Sequence, residues 1–288
     1  MSYKSVFRAG AFAGQHIIVT GAGSGIGRCT AHELASLGAQ VALVGRKIEK
    51  LEKVASEIEQ VGGKTSVHVC DIRDEANVHA MINTVLATHK RIDGLVNNAG
   101  GQFPSPLEEI SQKGWETVVR TNLTGGFLVA REAYTQWMKE NGGAIVNIIA
   151  DMWGSMPDMG HSGAARAGML NFTETAAVEW AVSGVRVNAV APGWIASSGM
   201  DNYPPSMAAL IRSLREAVPL QRLGTESEVS AAITFLLSEG AAFISGSCIR
   251  VDGAAPNAKA TWPMPAHKKA VPYNGFHLAT IPKVLQEN

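Results

Sequence analysis

Cysteine is scarce. Cys29, Cys70 and Cys248 are spread over 288 positions, each inside an apolar pattern and none in a C-x-x-C spacing. That argues against a disulfide frame and against a metal site, and points to reduced core residues of a cytosolic protein. Net charge is missing too, because 25 Lys+Arg balance 25 Asp+Glu. With no overall positive field, neither a nucleic-acid nor an anionic-membrane surface is expected; a local basic pocket stays open. No apolar run approaches a membrane span. Met1 to Gln15 has no continuous hydrophobic segment, so no secretory signal is expected. The end Gln286-Glu287-Asn288 is no peroxisomal address, and a cytoplasmic location is expected. The sequence has no internal repeat and no low-complexity segment.

What is present is apolar, 46% hydrophobic against 17% charged. One α/β domain of this length buries a large core. The chain is organised around Val19-Thr20-Gly21-Ala22-Gly23-Ser24-Gly25-Ile26-Gly27. An apolar run from His16 leads into it and a helical pattern from Arg28 to Leu37 leads out. Strand, glycine-rich turn and helix make a cradle for phosphate. Gly21 lets the chain turn tightly, Gly25 lets backbone approach a pyrophosphate, and Gly27 lets the helix sit close to the sheet. The glycines read G-x-x-x-G-x-G, not the commoner G-x-G-x-x-G; an ordinary capped turn is the plainer alternative.

Strand patterns follow at Gln40–Val44, Ser66–Cys70, Gly94–Val96, Ala144–Ile149, Val185–Val190 and Ser247–Val251. Helical patterns lie between them, at Ile48–Gln60, Asp74–Thr88, Glu108–Lys139 with a break near Lys113-Gly114, Ala164–Ala181 and Glu226–Leu237. Alternating strands and helices, most strands apolar throughout, predict a single doubly wound Rossmann domain, a seven-stranded parallel sheet with helices on both faces. Residues 1–253 form that domain. A lid insertion near 196–217 breaks the rhythm over the ligand crevice, as either a substrate lid or a surface insertion. From Ala254 the composition shifts, and 254–288 reads as a proline-rich tail. Trp262, Tyr273 and Phe276 either anchor it on the body or a neighbouring subunit, or leave it partly disordered.

These residues resemble the short-chain dehydrogenase/reductase family from about Gly14 to Gly253. The resemblance rests on the loop Gly21 to Gly27, on Asp71 after the third strand, on Asn97-Asn98-Ala99-Gly100, on Asn122, and on Pro192-Gly193-Trp194-Ile195. It implies a dinucleotide held by Gly21, Ser24, Gly25, Ile26, Gly27, Asp71, Ile72, Asn98, Ala99, Gly100, Pro192, Gly193 and Ile195. At the end of the second strand an NAD site wants an acid, and Gly45-Arg46-Lys47 has none. Arg46 can pair with a 2′-phosphate in bidentate fashion, with Lys47 and Lys50 adding charge, so NADP(H) is expected over NAD(H); the alternative is a solvated surface arginine.

The family's Ser, Tyr and Lys are absent. Within His161-Ser162-Gly163-Ala164-Ala165-Arg166-Ala167-Gly168, Arg166 falls at the Lys position and Ser162 at the Tyr position. The family Ser falls at Ile149 or Ala150. Arginine holds its proton and cannot relay one. The segment is similar to coenzyme-A enoyl and dienoyl reductases, in which hydride goes to an activated alkene and donors stabilise an enolate. Asn122, Ser162, Arg166 and Asp151 are the expected catalytic residues, with Asp151 a proton donor, a helix cap or a partner of Arg166. His161 and Tyr203 are lesser candidates. Trp153, Trp194 and Met200 are candidate pocket walls. The leading expectation is an NADP-dependent oxidoreductase reducing the double bond of an enoyl-CoA-type thioester. Alternatives are an alcohol/aldehyde dehydrogenase acting on terpenoid alcohols such as citronellol, and a catalytically weak NADP-binding sensor or scaffold. The expected partners are a small-molecule substrate and further copies of the chain, a homotetramer packed through its two long helices.

Overall fold

A computed structural model describes residues 2–259 and 261–286. Met1, Ala260, Glu287 and Asn288 lie outside the described residues, and with them part of the chain end on which the cytoplasmic expectation rests. The sheet strands are β1 His16–Thr20, β2 Gln40–Gly45, β3 Lys64–Val69, β4 Gly94–Asn97, β5 Gly143–Ile148 and β6 Val185–Pro192. After a two-residue pair, β7 Ile195–Ala196 with β8 Gly224–Thr225, the last sheet strand is β9 Cys248–Val251. The helices are α1 Gly25–Ser36, α2 Ile48–Glu59, α3 Glu75–His89, α4 Gln112–Val119, α5 Gly125–Ala133, α6 Lys139–Asn141, α7 Gly160–Glu179, α8 Ala208–Ser213 and α9 Glu226–Leu237.

Seven strands form one all-parallel sheet in the order β3-β2-β1-β4-β5-β6-β9. Apolar runs such as Gly94-Leu95-Val96 are buried on both faces, as a sheet covered by crossover helices requires. Ile17, Val19, Leu34, Leu43, Ile58 and Ile233 pack on the face of α1, α2 and α9. Ile18, Val44, Ile82, Leu95, Val129 and Ile145 pack on the other. Each such side chain contributes about 1.5–3 kcal/mol by leaving water. Between β1 and β4 the strand order reverses, which opens a crevice at the carboxyl ends.

Two details differ from the sequence expectation. The helix is not broken at Lys113-Gly114; Ser111 caps it and Gly114 lies in the first turn of α4. Its irregularities are two π-helical turns, Arg120–Thr124 and Tyr134–Met138, which join α4, α5 and α6. Secondly, α7 begins at Gly160, not Ala164, so His161 and Ser162 belong to its first turn. Serine and glycine are weak helix formers, but burial of His161 and Ser162 overrides propensity. Of the two alternatives for the tail, anchoring on the body is the one found. The Phe276 amide bonds Ser227 Oγ and its ring packs on Tyr3, while the Tyr273 hydroxyl donates to the Lys4 carbonyl. Trp262 stays exposed.

Candidate active site

Gly21 has φ +67°, a conformation that suits glycine alone. A methyl group there would meet Asn98 and Ala99 at 2.8 and 2.9 Å. At Gly27 it would collide with the Gly21 carbonyl and the Asn98 side chain. The loop is clasped to the end of β4: Thr20 Oγ1 accepts from the Asn98 and Ala99 amides, both at 3.0 Å, and Asn98 Nδ2 donates to the Thr20 carbonyl at 2.9 Å. The start of α1 is left bare. Ser24 precedes it without capping, and its first turn holds no acid. By contrast Asp74 caps α3 and Thr225 with Glu228 caps α9 in a reciprocal box. Four orphan amides with no internal acceptor suit an anion.

Beyond the loop lies a cavity of about 210 Å³, lined by Gly21, Ser24, Arg46, Asp71, Ile72 and Gly100 among others. Lys47, Lys50 and Arg73 line it too, so four cations face one space. Among the described residues, Arg46, Lys47 and Lys50 form no salt bridge. Asp71 is taken by Arg73, with contacts at 2.9 and 2.5 Å, and this pairing pulls its carboxyl down to about 2. It is therefore ionised at any ordinary pH. The lining fits a dinucleotide, with the cations gathered at the Arg46 end.

At the other end of the crevice, Arg166 reaches back from α7. Its Nη1 donates to the Ile148 carbonyl at 2.6 Å and Nη2 contacts Asn122 Oδ1 at 3.4 Å. Its Nε is buried without a partner. Burial lowers the guanidinium to about 10, still a cation at neutral pH. Gly100 lies against it; a methyl group there would meet Nη2 at 2.6 Å. Asn122 sits in the first π turn, and its amide clasps Gly101 by both ends, accepting from its N–H at 2.9 Å and donating to its carbonyl at 2.8 Å. Asn122 thus holds the 100–101 turn against Arg166. Its buried neighbours Asn97, Asn147 and Thr173 form a hydrogen-bonded chain beneath the site.

Ser162 is fully buried, and its Oγ donates to Gln102 Oε1 at 2.6 Å. Gln102 has no warning pattern in the sequence, and sequence reasoning misses it. It becomes visible only because the turn after Gly100-Gly101 brings it over the start of α7. His161 is buried with Nδ1 accepting from the Ser162 amide and Nε2 unpartnered, its ring edge-on to Phe103.

Asp151 stands apart from this group. It neither caps a helix nor pairs with Arg166, as two of its expected roles required. The β5 strand ends at Ile148 and the chain turns, so its amide bonds the Pro192 carbonyl instead. Burial, with Asp252 nearby, raises its carboxyl above the ordinary range, against the pull of Arg250. Gly193 is held to Val251 at 3.0 Å, and Pro192 and Ile195 flank it in β6 and β7. Trp194 lines a separate cavity with Arg250 and Asp252. Trp153 lies under Arg250, and Met200 is buried within the 196–217 insertion. No described helix is long and apolar enough to cross a membrane.

Comparison with known proteins agrees with this architecture. A family model described as Enoyl-(Acyl carrier protein) reductase matches residues 21–254. A Bacillus subtilis (strain 168) protein named "Probable 2,4-dienoyl-CoA reductase", (2E)-enoyl-CoA-producing, is 38% identical over 241 residues, 82% of this chain and 94% of that one. The Danio rerio peroxisomal 2,4-dienoyl-CoA reductase, (3E)-enoyl-CoA-producing, is 33% identical over 257 residues, 88% of this chain and 85% of that one. Among solved structures, the citronellol catabolism dehydrogenase (AtuB) of Pseudomonas aeruginosa PAO1 is 64% identical, with a TM-score of 0.80 over 88% of this chain and 100% of that one.

Proposed function

The chain belongs to the short-chain dehydrogenase/reductase family of nicotinamide-dependent oxidoreductases, and we propose that within it the protein is an NADP(H)-dependent reductase of the carbon–carbon double bond of an enoyl-CoA-type thioester. The observation that carries this reading is the pair of side chains at the head of α7. Arg166 and Ser162 stand where a carbonyl reductase of this family needs an amine and a phenol. An alkene conjugated to a thioester needs less than a ketone does. Its charge develops as an enolate on the thioester oxygen, and a fixed cation nearby, Arg166, stabilises that charge without titrating.

The bound dinucleotide supplies the hydride. The protein's part is to hold and orient it. Gly21 to Gly27 and the bare start of α1 take the pyrophosphate, and Arg46, with Lys47 and Lys50, takes the 2′-phosphate. Asp71 and Ile72 receive the adenine. Asn98, Ala99 and Gly100 would line the path of the nicotinamide ribose, beside the Arg166 guanidinium. Pro192, Gly193 and Ile195 hold the carboxamide. Asn122 fixes the turn beneath them. Asp151 stays a candidate acid for the pocket rim, at one remove from Arg166. The enzyme works in the cytoplasm as a homotetramer; exposed Trp115, Phe127 and Val178 on the long helices support that assembly.

A second reading, an alcohol/aldehyde dehydrogenase of branched terpenoid alcohols, is favoured by the 64% identity to the citronellol catabolism dehydrogenase. Product analysis separates the two. NADPH oxidation with 2-enoyl-CoA thioesters yielding saturated thioesters supports the first. Carbonyl formation from alcohols, with no thioester turnover, replaces it by the second.

A further inference from the structure

The lid insertion carries a tyrosine that meets the site through the residue the sequence hides. Gln102 Nε2 donates to the Tyr203 hydroxyl at 2.9 Å while Gln102 Oε1 accepts from Ser162 Oγ at 2.6 Å. The network has a direction. Ser162 spends its proton on the amide oxygen, which leaves the amide N–H₂ to donate to the phenol oxygen. Tyr203 therefore receives a hydrogen bond and keeps its own proton free for a further acceptor.

The lid holds this tyrosine in place. Pro204 follows it and restricts its backbone to the extended region, and its dihedrals are φ −76° and ψ 152°. The C-terminal tail then straps the lid on both sides of it. The Val284 amide donates to Asp201 Oδ1 at 3.1 Å, and Arg212 Nε donates to the Val284 carbonyl at 2.8 Å. Tyr203 is thus fixed from its backbone, its hydroxyl and its flanks, in a fold whose usual phenol position holds Ser162.

We propose that Tyr203 is the proton donor of the reaction, with Gln102 the positioning residue that couples it to Ser162. The inference rests on the hydride-transfer reading above. As hydride arrives at the β-carbon, the alkene π pair moves into the enolate. The O–H bond of Tyr203 then breaks, a C–H bond forms at the α-carbon from the enolate pair, and water reprotonates the phenolate.

The test compares wild type, Tyr203→Phe, Gln102→Glu and Gln102→Leu. It measures kcat and KM with NADPH and 2-enoyl-CoA thioesters, runs the alcohol panel in parallel, and follows NADPH affinity by fluorescence. Tyr203→Phe is expected to lower kcat by roughly 10²- to 10⁴-fold with NADPH affinity retained. Gln102→Glu keeps volume and the Ser162 contact, but a carboxylate would capture the Tyr203 proton, so kcat falls there too. A lid that merely packs would move KM and would not tell Gln from Glu. Thioester turnover undiminished in Tyr203→Phe, or in Gln102→Glu, overturns the proposal and leaves the reductase reading intact. Alcohol turnover alone, lost in Tyr203→Phe, overturns the thioester reading and keeps Tyr203 as the acid. No turnover of either substrate class by wild type overturns both.

Discussion

At the phosphate end of the crevice the glycine-loop residues are neighbours in the chain; at the reacting end the residues come from three separate segments. Gly21 to Gly27 form one turn, and its partners Asn98 and Ala99 come from the adjacent strand β4. Ser162, Gln102 and Tyr203 meet across separations of 60 and 101 positions, and Arg166 follows Ser162 in α7. The first site is backbone-made, and at Gly21 and Gly27 it leaves no room for a methyl group. The second is side-chain-made, so its chemistry can be rebuilt by single replacements while the sheet stays as it is. One fold can therefore keep its cofactor and change its reaction.

The largest expected effect breaks the backbone-made site. Gly27→Ala drives a methyl group into the Gly21 carbonyl. Relief of that contact costs about 1–3 kcal/mol of stability. It also shifts the loop, weakening NADPH and NADH alike by roughly 100-fold, the scale on which a misplacement of about 1 Å acts. Calorimetric titration checks it, and unchanged affinity for either dinucleotide would contradict it. Arg46→Asp sharpens the same end. Loss of a charge-assisted contact of about 1.5–3 kcal/mol weakens NADPH roughly 10- to 150-fold and leaves NADH nearly as before. An equal loss of both would remove Arg46 from 2′-phosphate recognition.

Glu226 tests the phosphate end through stability. Its carboxyl lies near Gly25, and burial pushes it up to about 7, against Arg28. In the unfolded chain it titrates near 4.3, as a free glutamate does (about 4.3). Between those two values the folded protein holds a proton that the unfolded chain has lost, so stability falls as pH rises toward 7 and then levels. The slope is about 1 kcal/mol per pH unit. Glu226→Gln should remove that slope in denaturant melts between pH 5 and 7, relative to wild type; parallel curves would contradict it. The smallest effect is at the side-chain-made site. Ser162→Ala deletes one hydrogen bond to Gln102 and should lower kcat roughly 3- to 10-fold at unchanged cofactor affinity. Unchanged turnover would take Ser162 out of the mechanism.

The same contrast explains what could be read before the structure. Strand and helix periods, the glycine loop and Arg46 are local signals, and the seven-stranded parallel sheet follows from them. Asn147, a polar residue in an apolar strand, is explained by Asn97 and Thr173 on neighbouring elements, which no local pattern announces. The start of α7 was displaced because packing of His161 and Ser162 decides it. Asp151 looks poised in sequence, two residues past a strand, yet the turn sends it toward Pro192 and Asp252. Gln102 was invisible because nothing in its own neighbourhood needs it; its value comes from Ser162 and Tyr203.

The most direct measurement is NADPH oxidation by the purified protein with crotonyl- and longer, branched 2-enoyl-CoA thioesters, with product identified by mass, beside alcohols with NADP and NAD. The account predicts saturated thioester and a preference for NADPH over NADH. Carbonyl product from the alcohols, with the thioesters untouched, would contradict it.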